Sequence, residues 1–357
     1  MKKSYIPNTV VNETNNKPKL LIYVHGDKLG DALLKLPAIA TIREQFPDHH
    51  VTWLAGANKS VFCGSLKPLI SAMVDEVYEN AQIGVEWKEL FKPPPLNGTY
   101  YDVVIDTQSV VRTTLCLRRI KHKLFISSAL RFLFSSRRPA NQNRISGTVQ
   151  QQLLQLLRLA SGKDIKQKKL LSIPTQYRQA ARKLLPTGPV YIGIAPGAGD
   201  KQRCWPLCRY LEVAGLQQSK GRTPVFFLGP EETAWQSRIL AEVSNACLPE
   251  QEAAGKMGLT GPLLSLALAE RITAGVANDS GSGHILAAAG QPLISLFGPS
   301  NPDKFFEPSA VRVLIRAQDY AGKEMINIPV QAVTEAIEAL VDRFAPALQQ
   351  AGGDDNA

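Results

Sequence analysis

Two carboxylates, Asp27 and Asp31, stand four residues apart in "HGDKLGDALLKLPAIATIREQF" (25–46). The stretch follows "KLLIYV", an apolar run of β-favouring residues, and continues into apolar residues at helical spacing. Strand, glycine-bearing turn and helix make the opening unit of a doubly wound α/β domain. Such domains bind ligands beyond the carboxyl ends of their strands, where this turn lies. A carboxylate there can cap the helix, accepting a free backbone N–H at the positive end of the dipole. It can equally take a proton from a hydroxyl held in a cleft. The residue types leave both roles open for Asp31 and make Asp27 a turn residue.

Three loops in the second half suit a phosphorylated ligand. In "APGAGDKQRCWP" (195–206), Gly197 and Gly199 allow close backbone approach, and Lys201 and Arg203 meet phosphate charge. No Walker sequence is present, and a plain surface turn fits the same spacing. In "FLGPEE" (227–232) a strand ends in Gly-Pro, and two acids open a helix. Acids there favour the dipole, or hydrogen-bond a ribose as in dinucleotide folds. "NDSGSGHILAAAG" (278–290) is the most specific: the free N–H groups from Ser280 to His284 converge on one spot, an arrangement suited to phosphate oxygens. Asp279, Ser280 and His284 are too crowded for a hydrolase triad, and no GxSxG elbow surrounds the serine.

The net charge of +10 is concentrated. No Asp or Glu occurs between Asp106 and Asp164, whereas Arg112, Arg118, Arg119, Lys121, Lys123, Arg131, Arg137, Arg138, Arg144, Arg158 and Lys163 all fall there. So unbalanced a run points to an anionic partner: a phosphorylated substrate, an acidic membrane surface or nucleic acid. With no RRM, helix-turn-helix or zinc-finger pattern, nucleic acid is the weakest of the three.

The elements that must position these residues alternate strand and helix twice over, which argues for parallel sheets. Strands are expected near 19–25, 51–55, 102–106 and 123–127, with helices near 31–46, 109–120 and 146–160. Pro37 is expected to kink the first helix. A linking region over 162–189 precedes a second α/β half. There, strands are expected at 190–196, 224–229, 276–278 and 292–298, and helices at 206–218, 231–243, 261–275, 282–290 and about 330–349. The polar start carries no secretory pattern, and no window holds the roughly 18–20 apolar residues that span a bilayer. Five cysteines without a CxxC pair fit a reduced cytosolic chain better than a disulfide framework or a zinc site.

Four stretches in order, "KLGDALLKLPAIATIREQFPDHHVTWLAG", "PGAGDKQRCWP", "FLGPEE" and "NDSGSGHILAAAGQPLISLFGPSNP", together resemble the bacterial heptosyltransferases of glycosyltransferase family nine. The resemblance spans about 19–345, and "YYDVVIDTQSVVR" (100–112) resembles the acceptor-side segment of the inner-core enzymes. It implies a GT-B fold, two Rossmann-like doubly wound parallel-sheet domains facing a central cleft. The implied boundaries are a polar tail at 1–18, an acceptor domain at 19–185, a nucleotide-sugar domain at 186–328, a helix packing back across the domains at 329–349, and a disordered tail at 350–357. The implied reaction is inverting, metal-independent transfer of heptose from ADP-L-glycero-D-manno-heptose to the lipopolysaccharide inner core, with no cofactor. The residues agree in one respect, since no DxD motif is present to hold a metal-bound diphosphate.

By resemblance Asp31 matches the general base and Gly30 allows close approach to the donor. Asp279, Ser280, Gly281 and His284 match the diphosphate loop, with Pro196 and Gly197 beside the donor, and Glu231 matches the ribose acid. Asp106, Gln108, Arg112, Arg137 and Arg138 fall to the acceptor side. The family places a Lys two residues before the loop Trp; here Arg203 takes that position, and Lys201 stands four before Trp205. Arg203 is therefore the first choice for the leaving phosphate and Lys201 the second. The departure leaves open another sugar donor and a related surface glycan. A catalytically silent GT-B module that binds nucleotide or glycan is the competing class, against which the presence of Asp31 counts. The expected setting is a monomer, peripheral at the cytosolic face of the bacterial inner membrane, with an anionic Kdo-lipid A acceptor and no nucleic acid partner.

Overall fold

The computed structural model describes residues 17–140, 147–166, 172–302, 306, 309 and 311–351, with backbone alone over 345–351. Arg144 and almost all of the two expected tails lie outside the described residues. The chain divides into two compact units, Met1–Ser172 and Ile173–Ala357.

The first unit is a five-stranded sheet of β1 (Lys19–Val24), β2 (His50–Ala55), β3 (Glu76–Tyr78), β4 (Tyr100–Asp106) and β5 (Lys121–Ser127). Every pairing is parallel, in the order β3-β2-β1-β4-β5. Its helices are α1 (Leu29–Ile39), α2 (Ile42–Gln45), α3 (Lys67–Ile70), α4 (Val111–Leu117) and α5 (Val149–Ser161). β1 is buried from Leu20 to Val24, as a central parallel strand covered on both faces must be. The helix expected over 31–46 is two helices. Pro37 has no N–H to donate, and α1 ends two residues later at Ile39. β3 went unread because three residues carry no periodic signal.

The second unit holds β6 (Tyr191–Ala195), β7 (Thr223–Phe226), β8 (Ala274–Asn278), β9 (Leu293–Phe297) and β10 (Arg312–Arg316), again all parallel, in the order β10-β9-β8-β6-β7. Around it are α6 (Thr175–Leu184), α7 (Leu207–Ser219), α8 (Gln236–Glu242), α9 (Pro249–Met257), α10 (Pro262–Ala269), α11 (Gly281–Ala289) and α12 (Val330–Ala351). α6, placed before the expected boundary at 185, belongs to this unit. Its Ala180 and Ala181 are buried, it packs on α9 and α10, and Arg178 forks onto Glu270 with two bonds of 2.9 Å. α12 packs on α7, β8 and β9 through Val333, Ile337, Leu340 and Val341. Among the described residues no helix is long and apolar enough to cross a membrane.

Glu250, in the first turn of α9, anchors the end of β7. Its carboxylate accepts the Leu228 N–H at 3.1 Å and the Ser265 hydroxyl. Burial pushes its pKa up to about 7 from an ordinary 4.5. The folded chain therefore keeps a proton that the unfolded chain loses, and this group's contribution to stability falls as pH rises from 4.5 to about 7. Glu250→Gln is expected to shrink that decline, read as urea midpoints across the same window; an unchanged decline would place its source elsewhere.

Candidate active site

Open α/β sheets bind ligands where the strand order reverses. In the first unit the reversal lies between β1 and β4, and the pocket found there has a volume of about 770 Å³. His25 and Gly26 line it after β1, Thr107, Gln108 and Ser109 after β4, and Ser128, Leu130 and Arg131 after β5. α1 contributes Asp31 and Lys35, and α5 contributes Val149, Gln152, Leu153 and Leu156.

Asp27 is not the turn residue expected. It is buried, and its carboxylate accepts Lys35 Nζ at 2.5 Å, Trp53 Nε1 at 2.9 Å and Ser60 Oγ at 2.8 Å. This acid fastens the start of α1 to β2 and the segment after it. Asp31 is not the cap either: the N-cap residue is Lys28, and Asp31 lies within the first turn of the helix, half-buried. Among the described residues no hydrogen bond or ion pair occupies its carboxylate, and it opens on the pocket. Gly30 precedes it in the same first turn.

Arg131 also lines the pocket, within a turn whose Leu130, Arg131 and Phe132 all have left-handed backbone, with φ of 46°, 55° and 65°. Three such residues without glycine store strain, which persists only where the surroundings enforce it. Here the fully buried Phe132 ring holds the turn. Neither Arg131 nor Lys35 was singled out in sequence; only the basic run hinted at the first.

Of the expected acceptor residues, Gln108 alone lines this pocket. Asp106 is fully buried and bound to Thr114 Oγ1 at 2.6 Å, Ser127 Oγ at 2.9 Å and the Gln108 N–H at 2.9 Å. Burial raises its pKa, and its oxygens are committed inside the fold, so it ties β4 to α4 and β5 rather than meeting a ligand. Arg112 is half-buried on α4 outside the lining. Arg137 donates to the carbonyls of Leu159 and Ala160, at 3.2 and 2.8 Å, and so ties down the carboxyl end of α5. With Arg138, Arg158 and Lys163 it borders a separate open pocket at that end.

In the second unit the order reverses between β6 and β8. Asn278, the last residue of β8, is buried there and joins three segments. Its Nδ2 donates to the Pro196 carbonyl at 2.7 Å, and its Oδ1 accepts from Trp205 N at 3.0 Å and the Tyr210 hydroxyl at 2.9 Å. Asp279 follows, buried, with Arg203 Nη1 at 3.5 Å from Oδ2 and His284 Nε2 at 3.8 Å from Oδ1. Among the described residues Asp279 Oδ2 finds no hydrogen-bond partner. Ser280 caps α11, accepting the Gly283 N–H at 3.2 Å, and Gly281 begins the helix. Arg203 thus joins the loop of Asp279 and His284, whereas Lys201 is exposed.

The two acids of "GPEE" divide. Glu231 is exposed, and Glu232 is buried, its pKa raised by that burial. A Cβ on Gly197 would collide with the Glu232 carboxylate, so that glycine makes room for the acid.

The comparisons with known proteins follow this geometry. A model of "Glycosyltransferase family 9 (heptosyltransferase)" matches residues 94–326. Lipopolysaccharide heptosyltransferase 2 of Escherichia coli (strain K12) is 32% identical over 170 residues, 42% of this chain and less than half, 46%, of that relative. Lipopolysaccharide heptosyltransferase 3 of Escherichia coli is 25% identical over 285 residues, 76% of this chain and 81% of the relative. Among solved structures, a glycosyl transferase family 9 protein from Veillonella parvula DSM 2008 superposes with a TM-score of 0.68 at 19% identity, covering 92% of this chain and 98% of that one. The E. coli heptosyltransferase WaaC with ADP-2-deoxy-2-fluoro heptose gives a TM-score of 0.62 at 18% identity, covering 90% and 99%. The fold is GT-B, two Rossmann-like units in one chain. With the family model spanning well over half of the sequence, the chain belongs to glycosyltransferase family 9.

Proposed function

We propose that this enzyme transfers a heptose from ADP-L-glycero-D-manno-heptose to the inner core of lipopolysaccharide, with inversion and without a metal ion. The family and the names of its relatives support heptose transfer to lipopolysaccharide. One observation supports the mechanism: among the described residues nothing engages the Asp31 carboxylate, and it lines a pocket at the strand-order reversal together with Arg131. In this reading the acceptor hydroxyl enters that pocket. Its oxygen bonds to the anomeric carbon as the bond from that carbon to the diphosphate breaks, and its proton passes to Asp31. A single displacement inverts the anomeric centre. The electron pair leaves on ADP, whose charge Arg203 meets beside the N-terminus of α11. Arg is suited to this role as a fork holding two phosphate oxygens, where Lys would act as a point charge.

The acceptor is an anionic sugar, and Arg131 is the residue assigned to it. The roles expected of Asp106 and Arg137 pass to the fold. The reading also places the enzyme as a monomer at the cytosolic face of the inner membrane, drawing on a nucleotide sugar and a lipid-linked acceptor. Pro196 and Gly197 stay on the donor side, and Glu231 stays the partner assigned to the ribose.

Asp31→Asn is expected to lower kcat about 10²–10⁴-fold with ADP binding unchanged. Transfer near the wild-type rate would remove the base assignment. Arg131→Ala is expected to raise the KM for acceptor about tenfold or more while leaving donor KM alone, whereas Arg137→Ala lowers thermal stability and spares both constants. Mass spectrometry of products from a panel of nucleotide sugars and truncated lipopolysaccharides identifies donor and acceptor, and a product formed only from another sugar would displace the heptose reading.

A further inference from the structure

The pocket of Asp31 has a second charged group on α1, and the proposed chemistry gives it no part. Lys35 lines the pocket four residues after Asp31. Residues four apart on a helix share one face, with Cβ atoms roughly 5–6 Å apart. Lys35 is only 8% exposed, so its ammonium stands in the pocket wall rather than in open solvent.

This cation is held from behind. Nζ donates to Asp27 Oδ1 at 2.5 Å and lies 6.0 Å from the centroid of the buried Trp53 ring. Asp27 is itself fixed: Oδ2 accepts Trp53 Nε1 and Ser60 Oγ, and the Asp27 N–H donates to the Lys59 carbonyl at 3.0 Å. An ammonium carries three N–H donors. Asp27 takes one, and among the described residues no other group accepts from Lys35. A buried cation is costly unless its donors are used, and two of these remain for whatever enters the pocket.

The charge of the lining selects the kind of group. Lys35 and Arg131 are its two fixed cations, and Asp31 is its single carboxylate. Asp27 offsets part of the Lys35 charge from behind the wall, outside the lining. Thr107, Gln108, Ser109 and Ser128 complete a polar rim suited to sugar hydroxyls. A lysine ammonium is a compact point charge that takes a carboxylate or a phosphate alike.

We propose that Lys35 is a specificity-determining residue of this pocket, whose ammonium holds an oxyanion on the acceptor sugar that presents its hydroxyl to Asp31. The one-turn spacing from Asp31 to Lys35 is about the breadth of a sugar ring, so the oxyanion and the reacting hydroxyl belong to one sugar. Arg131, on a different element, is left to the rest of the acceptor. The proposal rests on the transfer reading for the role of Asp31, and its test is a binding measurement with no donor present.

The full chain is titrated by calorimetry with deacylated lipopolysaccharide core, with the same core after methyl esterification of its carboxylates, and with the core stripped of phosphate. The wild type is expected to bind one treated core about tenfold or more weakly than the untreated one, and the treatment responsible identifies the oxyanion as carboxylate or phosphate. K35M is expected to bind all three cores alike. D27N/K35M, which leaves no buried acid without its cation, is expected to do the same, with circular dichroism as in the wild type. A wild type without preference, a preference that persists in K35M, or equal weakening of all three cores by K35M would overturn the proposal. A preference kept in K35M and lost in R131A would assign the oxyanion to Arg131 instead. Charge-dependent binding that K35M abolishes, with no transfer from any nucleotide sugar, would count against the proposed reaction and leave the role of Lys35 standing.

Discussion

A parallel sheet whose strand order reverses leaves a gap at its carboxyl edge, because the chains leaving the two central strands depart in opposite directions. Both units of this protein are organised around that gap, and each handles it differently. In the second, Asn278 bridges it: one carboxamide binds the end of β6, the backbone of Trp205 and the Tyr210 hydroxyl. The loop with Arg203 and the loop with Asp279 are thereby held at one place. In the first, the gap stays open as the pocket that Asp31 lines, and its walls are held from behind.

The holding is done by buried acids. Asp27 gathers Lys35, Trp53 and Ser60, and Asp106 gathers Thr114, Ser127 and the Gln108 backbone. A buried carboxylate is costly unless its oxygens are satisfied, and the oxygens of Asp27 and Asp106 are engaged inside the fold. Asp31 differs because it lies inside the first turn of α1 rather than at the cap. There the helix dipole favours its charge without consuming its oxygens. Similar acids a few residues apart thus have opposite surroundings: Asp27 is engaged inside the fold, and Asp31 lines the pocket.

The basic segment divides in the same way. Arg137 and Arg158 are engaged with carbonyls near the end of α5, Arg118 and Arg119 tether two surface turns, and Arg131 faces the pocket. A run of like charge in sequence is therefore not one binding surface. Its members are distributed over a sheet edge, a helix end and a pocket rim.

The sequence by itself determined the two α/β halves, most of their strands and the family, because periodicity and the turn chemistry of "KLGDALLKLP" and "NDSGSGHILAAAG" are local properties. It also singled out Asp31, Arg203, Asp279 and His284. The short β3 stayed out of reach, since three residues carry no pattern of their own, as did the allegiance of α6, which follows from packing on α9 and α10. Only the tertiary structure decided that Asp27 and Asp106 are structural, that Glu232 rather than Glu231 is buried against Gly197, and that Arg131 rather than Arg137 shares the pocket with Asp31. The physical reason is common to all three: a side chain's role depends on whether its polar atoms are already satisfied, and the partners that satisfy them come from distant parts of the chain.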